Sequence, residues 1–543
     1  MVELMSDYDV IIVGAGHNGL TAANVLAQQG KRVLVTEKTN FPGGMATTRE
    51  LFPGYQHSIG AWTFIVYRDE MAKALGLADF GFELTDQWAS FCSFGEPEDV
   101  PFIAFNDLER TAQHLIEDHG TETAMAVGAL YSRLAQFAPY IDGSLHTEPP
   151  NIYRILAEQP DATTREQMAK LWFGSCMDTL REFFPDPNTN RTITGSMAAM
   201  TIDGTHLGPF TPGAGPSMTF HYLAGGVANS FRMPKGGVGA VSRALARRAE
   251  HLGAEIRYKA IVEELIVVDG TVTGIRLKGG ETVSAPVVMS TVDARSTFIG
   301  LAGAEANLPA DFCRRIREID YRNGYVQAHL TLDGEPEWTG HLEKYVAERH
   351  VASTMAYIPS PEYVSDAWQE YRDGKLPSNP AVYMYVPSLV DPSMAPEGKH
   401  TATIFMHYFP HSLPPDEHRT LKEAYVDRGL EVLSRFSPNL RDLITNRVVF
   451  TNDYFAKTFG ITGGDFCHGI LHTGQVFDER PVTGWNQYAT PIRGLYMAGS
   501  GCHPGPAVSS LPGWNAANLV LEVSDGPEAR LHTDLEALAA TGV

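Results

Sequence analysis

The sequence predicts an α/β fold: a parallel sheet assembled from separated stretches of chain, with an α+β domain inserted between them. Three observations predict it. Near the N-terminus a strand pattern buried on both faces runs straight into a glycine cluster and a helix. A second strand-rich block lies mid-chain, and a glycine-rich block led by a strand closes it. The 543 residues leave room for a second domain between these blocks.

Residues 8–13, Tyr-Asp-Val-Ile-Ile-Val, are rich in β-branched side chains and read as a strand covered on both sides. Gly14-Ala15-Gly16-His17-Asn18-Gly19 follows at once. Residues 20–29 carry apolar positions at helical spacing, and Gly30 ends that helix. Residues 31–36 read as a second strand, which delivers Glu37. Each part has a physical role in a Rossmann-type dinucleotide cradle. Gly14 permits the tight turn, Gly16 lets a pyrophosphate approach the backbone, and Gly19 lets helix and strand pack closely. The helix N-terminus offers N–H groups and a positive dipole end. Glu37, about twenty residues on, suits the adenosine ribose hydroxyls and disfavours a 2′-phosphate.

Composition narrows the function classes. The chain is 43% hydrophobic and 20% charged, the profile of an ordinary globular protein. Its net charge of −22 argues against nucleic-acid binding, which needs cations against phosphates. Five scattered cysteines form no C-x-x-C, so neither a zinc site nor a redox disulfide is predicted. Free thiols, and an N-terminus without a signal-peptide pattern, lead to the expectation of a cytoplasmic protein. No apolar run is long enough to cross a membrane, which leaves peripheral membrane association open.

In the middle block, Pro234-Lys235-Gly236-Gly237-Val238-Gly239 precedes a helix over 242–252. Strands are predicted over 253–258, 260–268, 271–277 and 282–290, with a hairpin turn at Asp269-Gly270. Gly236, Gly237 and Gly239 are not a second nucleotide site, because no buried strand leads in and no acid follows at the right distance. The C-terminal block runs from a strand at 494–498 through Gly499-Ser500-Gly501-Cys502-His503-Pro504 to a helix beginning near Ser509.

The segment after Glu37 and Lys38 contains Pro42-Gly43-Gly44-Met45-Ala46-Thr47-Thr48, which resembles the G-G-x-x-x-T extension of amine oxidase and phytoene desaturase-like flavoproteins. With Pro234-Lys235-Gly236-Gly237, Asp391-Pro392-Ser393-Met394, Arg480-Pro481 and the stretch from Thr490 to Ala517, the resemblance spans nearly the whole chain. It is closest to flavin-dependent carotenoid ketolases and to pyridine nucleotide-disulfide oxidoreductase domain-containing proteins. The resemblance implies FAD as cofactor and a discontinuous FAD-binding domain of 1–75, 230–300 and 488–543. The substrate domain would comprise 76–229 and 301–487. It also implies FAD contacts from Gly14, Ala15, Gly16, His17, Asn18, Gly19, Glu37, Lys38, Gly43, Gly44, Met45, Ala46, Thr47, Ser58, Gly60, Val262, Thr291, Gly499, Ser500, Ser510, Leu511 and Trp514. Three departures stand out, one of them the loop His57-Ser58-Ile59-Gly60-Ala61-Trp62, which differs from the desaturase version. Ser500 occupies the place of the family's usual Asp, and Trp514 that of a smaller or basic residue.

For chemistry, His503 in the loop expected beside the flavin, and His57 with it, are the candidate catalytic residues. His468 and His472 stand four apart but lack a third ligand, so no metal is expected. Trp62, Phe64, Tyr67 and Trp514 are candidate walls of an apolar channel. The substrate domain should combine helices within 107–134 and 163–184 with strands such as 382–387 and 401–408. The tail 533–543 is expected to fray. The resulting expectation is an FAD-dependent dehydrogenase or desaturase acting on an apolar or alicyclic small molecule, isoprenoids included, with dioxygen or a quinone as electron acceptor. Amine oxidation, carotenoid ketolation and a non-catalytic flavin-binding role stay open as alternatives.

Overall fold

The computed structural model describes residues 6–62, 64, 67, 69–88, 91–105, 107–140, 149–186, 188–226, 232–301, 304–347, 353–411 and 413–526. The predicted tail 533–543 lies outside them.

Five parallel strands form the first sheet, in the spatial order Leu495–Met497, Val287–Ser290, Val10–Val13, Val33–Glu37, Glu255–Tyr258. They come from the two ends and the middle of the chain. Val10–Val13 is buried at every position, as a central strand of a parallel sheet covered on both faces must be; the helix His17–Gln28 and an antiparallel meander pack against this sheet. The helix His17–Gln28 packs against Gly239–His251 on one side and Leu511–Asp525 on the other. Backbone-to-backbone approach needs glycine here. A Cβ on Gly19 would lie 2.1 Å from the Gly14 carbonyl oxygen, and one on Gly513 would lie 2.0 Å from that of Asn18.

The predicted strand over 282–290 is two strands. Thr282–Ser284 closes an antiparallel meander with Val262–Val268 and Thr271–Leu277, and Val287–Ser290 joins the parallel sheet. Pro286 separates them; it has no N–H to donate to a ladder, so the chain changes sheets there. Helix starts also differ by a few residues. The first helix begins at His17, the middle one at Gly239 and the last at Leu511.

The second sheet has seven strands, in the order Ile444–Thr451, Tyr325–Leu332, His400–His407, Val382–Tyr385, Thr354–Tyr357, Phe91–Phe94, Phe102–Ala104. All neighbours are antiparallel except Thr354–Tyr357 beside Phe91–Phe94. Alternation sorts its side chains. Val326, Ala328 and Leu330 enter one core, whereas Tyr325 shares the opposite one with Phe405 and Tyr383. A helical layer, including Thr121–Leu134, Ala162–Phe173, Cys176–Phe183 and Arg191–Thr201, adds a further core around Trp172 and Phe137. The helical stretch over 107–134 is interrupted by a wide π-turn at Leu115–His119. Among the described residues no helix is long and apolar enough to cross a membrane.

Candidate functional site

A single cavity with about 1370 Å³ of atom-free space, part of it open to solvent, joins the two sheets. One end is the predicted cradle. Gly14, Gly16, His17, Asn18, Glu37, Gly43, Gly44, Met45, Ala46, Gly60, Thr291 and Ser500 all line it.

Main-chain atoms build this end. Gly14 turns at φ +103°, and its N–H donates to the Thr36 carbonyl at 2.8 Å. The Thr291 hydroxyl donates to the Val13 carbonyl at 2.9 Å, which holds the two strand ends together. Gly43 N–H donates to the Ala15 carbonyl at 2.8 Å, laying the Gly-Gly segment beside the glycine turn. A Cβ on Gly16 would meet no protein atom within 4 Å, so this glycine opens onto space that a phosphate can approach. The carboxylate of Glu37 accepts from the N–H of Ala15 at 2.9 Å and of Thr39 at 2.7 Å. Its remaining lone pairs are available to ribose hydroxyls.

No Lys or Arg lines the cavity among the described residues. Phosphate charge therefore falls to the amides of the first helical turn and their dipole. Asn18 ties that turn to the C-terminal block. Its Nδ2 donates to Ser500 Oγ at 3.4 Å, and its Oδ1 accepts from Gly513 N–H at 3.4 Å.

The other end is a chamber. Trp62, Phe220, Phe405, Phe466 and Leu471 wall it, with Gln327, Asp203, His221 and His468. Trp62 stacks on Phe405 at 5.7 Å between ring centroids. Gln327 joins the two ends. Its amide oxygen accepts from Gly60 N–H at 3.1 Å, and its NH₂ donates to the Gly60 carbonyl at 2.6 Å.

The remaining predicted contacts lie off the cavity wall. Ala15 acts through its backbone, and Gly19 is a packing position. Ser58 Oγ accepts from Val238 N–H at 3.1 Å and Thr48 Oγ1 from Gly239 N–H at 2.8 Å, so this hairpin caps the helix Gly239–His251. Thr47 is buried in the same hairpin. Lys38 donates to the Lys457 carbonyl at 2.7 Å. Val262 sits in the outer meander, paired with Leu277. Gly499 packs on the Thr291 carbonyl, while Ser510 and Leu511 begin the last helix and Trp514 is buried within it.

The two candidate catalytic histidines are also set off the wall. Strand alternation turns His57 into the core, where its ring meets His329 at 5.4 Å and Phe52 at 6.1 Å. His503 is buried against Phe477, and its carbonyl accepts from the Tyr488 hydroxyl. Burial pushes the His57 imidazole down to about 4; with the charge of Arg480 it takes His503 to about 3. Of the predicted channel aromatics only Trp62 reaches the cavity; Phe64 stacks on Tyr67 at 5.0 Å, away from the wall.

Asp203, His221, Gln327 and Arg480 carry roles that sequence reasoning missed. Gln327 left a trace, a polar residue inside a fully buried strand. Arg480 is buried and donates to the carbonyls of Ser500, Gly469, Gln475 and Cys467, fastening the C-terminal loop to the chamber wall.

A glycine cradle and an enclosed chamber sharing one cavity are the architecture of a dinucleotide-binding oxidoreductase. The chain belongs to the flavin-containing amine oxidoreductase family, whose profile matches residues 19–521. FAD is the cofactor this membership brings, and the cradle fits its adenosine and pyrophosphate. Over 549 residues the chain is 26% identical to pyridine nucleotide-disulfide oxidoreductase domain-containing protein 2 of Rattus norvegicus, covering 95% of this chain and 94% of the relative. Chloroplastic prolycopene isomerase 2 of an Oncidium hybrid cultivar is 25% identical, with 93% and 82% covered. An oxidoreductase from Methanosarcina mazei shares the fold at TM-score 0.61 and 15% identity, covering 94% of this chain and 99% of that one. Putrescine oxidase does so at TM-score 0.60 and 14% identity, covering 95% and 98%.

Proposed function

We propose that this flavin-dependent oxidoreductase is a dehydrogenase or desaturase that removes two electrons, as hydride, from an apolar or alicyclic small molecule, isoprenoids included. The observation that carries the reading is the chamber: aromatic and aliphatic walls of Trp62, Phe220, Phe405, Phe466 and Leu471, continuous with the FAD cradle. Such walls reward burial of apolar surface at about 25 cal/mol per Å². The Oncidium relative is by name an isomerase of prolycopene, which is in keeping with an isoprenoid ligand.

Bound FAD supplies a two-electron hydride acceptor. The chain's own contribution is positioning. Gln327 fixes the Gly60 backbone where hairpin and large sheet meet, and Trp62 lies in the chamber wall two residues on. Dioxygen or a quinone reoxidises the enzyme, and a quinone would draw the protein to a membrane surface.

Amine oxidation is the second reading. It is favoured by Asp203, a carboxylate among aromatic rings, which is a setting that attracts an ammonium group. Anaerobic bleaching of the flavin by a cyclohexene-type ring, a polyene and a primary amine separates the two. Bleaching by either hydrocarbon is expected. Bleaching by the amine alone overturns the proposal in favour of the second reading.

A further inference from the structure

The chamber wall carries an acid–base pair that the cofactor cradle does not use. Asp203 Oδ2 lies 3.5 Å from His221 Nε2. Both side chains face the cavity; Asp203 keeps 27% exposure and His221 8%.

The other wall carboxylates are already engaged. Glu37 accepts two backbone N–H groups. Asp293 accepts from the N–H and hydroxyl of both Ser296 and Thr462. Asp203 is the wall carboxylate whose partner is a titratable ring.

Ser217 fixes that ring, one turn earlier on the helix Gly215–Gly226. Its carbonyl accepts from His221 Nδ1 at 2.8 Å, and its hydroxyl donates to the Asp203 carbonyl at 2.8 Å. With Nδ1–H committed to Ser217, Nε2 is the nitrogen that faces the carboxylate.

Resting on the dehydrogenation reading above, we propose that Asp203 and His221 form the proton-accepting pair of the reaction. One substrate C–H bond breaks with its electron pair leaving as hydride to the flavin. The C–H bond on the neighbouring carbon leaves its electron pair in the new double bond, and its proton passes to the Asp203 carboxylate. The substrate loses two electrons, the flavin gains them, and the proton stays on the pair until solvent removes it. Burial pushes the Asp203 carboxyl up, but the hydrogen bond from His221 and the nearby His221 and His407 rings outweigh it and hold it below its ordinary value. The carboxylate is thus ionised and ready to accept.

The titratable groups facing Asp203 are His221, His407 with Nε2 at 3.9 Å, Tyr325, Tyr383 and Cys467. Burial pushes His407 down to about 4 and raises both phenols and the thiol, so all four stay neutral around pH 7. The pH response of the pair is therefore its own.

The test uses FAD-loaded wild type, Asp203→Asn, Asp203→Glu and His221→Gln. Anaerobic bleaching by a cyclic or polyene donor is followed from pH 5 to 9, and the His221 ring nitrogens by NMR without donor. Asp203→Asn is expected to slow bleaching about 100-fold or more at every pH from 5 to 9, with the flavin spectrum unchanged. Asp203→Glu should restore at least about a tenth of the rate, and His221→Gln should shift the profile. The His221 ring signals should move in Asp203→Asn. Wild-type rate and profile in Asp203→Asn, or unmoved His221 signals, overturn the pair. If no donor bleaches the wild type, the dehydrogenation reading fails by itself, and the NMR signals alone decide whether the pair exists.

Discussion

The two ends of the cavity are built by different means. The cradle is made largely of backbone: Gly14, Gly16, Gly43 and Thr291 place main-chain groups, and among the described residues no Lys or Arg lines the cavity. The chamber is made of side chains drawn from distant segments, Trp62, Asp203, His221, Gln327, Phe405 and Phe466. Tolerance to substitution therefore differs between the two ends. Backbone geometry accepts few substitutions at its glycines, whereas a wall of side chains can be recut for a new substrate without disturbing cofactor binding.

The harshest way to break this contrast is Gly513→Val. Its Cβ would overlap the Asn18 carbonyl oxygen at 2.0 Å, where two helices meet at their first turns. The expected outcome is loss of folded, flavin-bearing protein, read by soluble yield and visible absorbance. A folded, yellow Gly513→Val protein would show that this contact can be relaxed.

Gln327→Ala is the intermediate case, at the junction of the two ends. It leaves the Gly60 N–H and carbonyl without their partner. An unsatisfied buried polar group costs about 1–3 kcal/mol, so the pair should lose roughly 2–5 kcal/mol in urea unfolding, less where cavity water steps in. Gln327→Glu should recover only part, since it cannot donate as the amide does.

The gentlest perturbation is pH. Burial lowers His17, His57 and His407 to about 4 and, with the charge of Arg480, His503 to about 3. In the unfolded chain these rings titrate near 6.5. Folded values below unfolded ones mean stability present above pH 6.5 and lost as pH falls toward 4. Each ring at about 4 costs roughly 2 kcal/mol at pH 5. Asp465 opposes the trend. Burial raises it to about 6, so its charging penalty disappears between pH 6 and 4. Melting temperature should fall from pH 7 to pH 4.5, because four rings outweigh one carboxyl. An unchanged value would contradict the burial of those rings.

The same contrast explains what the sequence made legible. The cradle was readable because its parts are consecutive: strand, glycines, helix and Glu37 lie within a few turns of chain, and local geometry fixes their relation. The large sheet was partly readable, and strands near 382–387 and 401–408 appear as Val382–Tyr385 and His400–His407. Of the chamber, only Trp62 was. Trp62 and Phe405 meet only because the strand Tyr55–Gly60 packs on the seven-stranded sheet, and nothing in either local sequence encodes that contact. His57 attracted notice as a histidine near a flavin-like motif, but alternation in its strand turns the ring inward. Asp203 and His221 escaped notice because each alone is unremarkable; their chemistry arises from a 3.5 Å approach that tertiary packing creates.

FAD is held by the backbone cradle, and Gly16→Val is the variant that probes this hold. A Cβ there meets no protein atom within 4 Å, so the fold should survive with near-wild-type melting in the absence of added FAD. Titration of apo-protein with FAD, followed by flavin fluorescence, should then show affinity reduced about 100-fold or more, equivalent to about 2.7 kcal/mol. A folded Gly16→Val protein that takes up FAD as tightly as wild type would contradict the account.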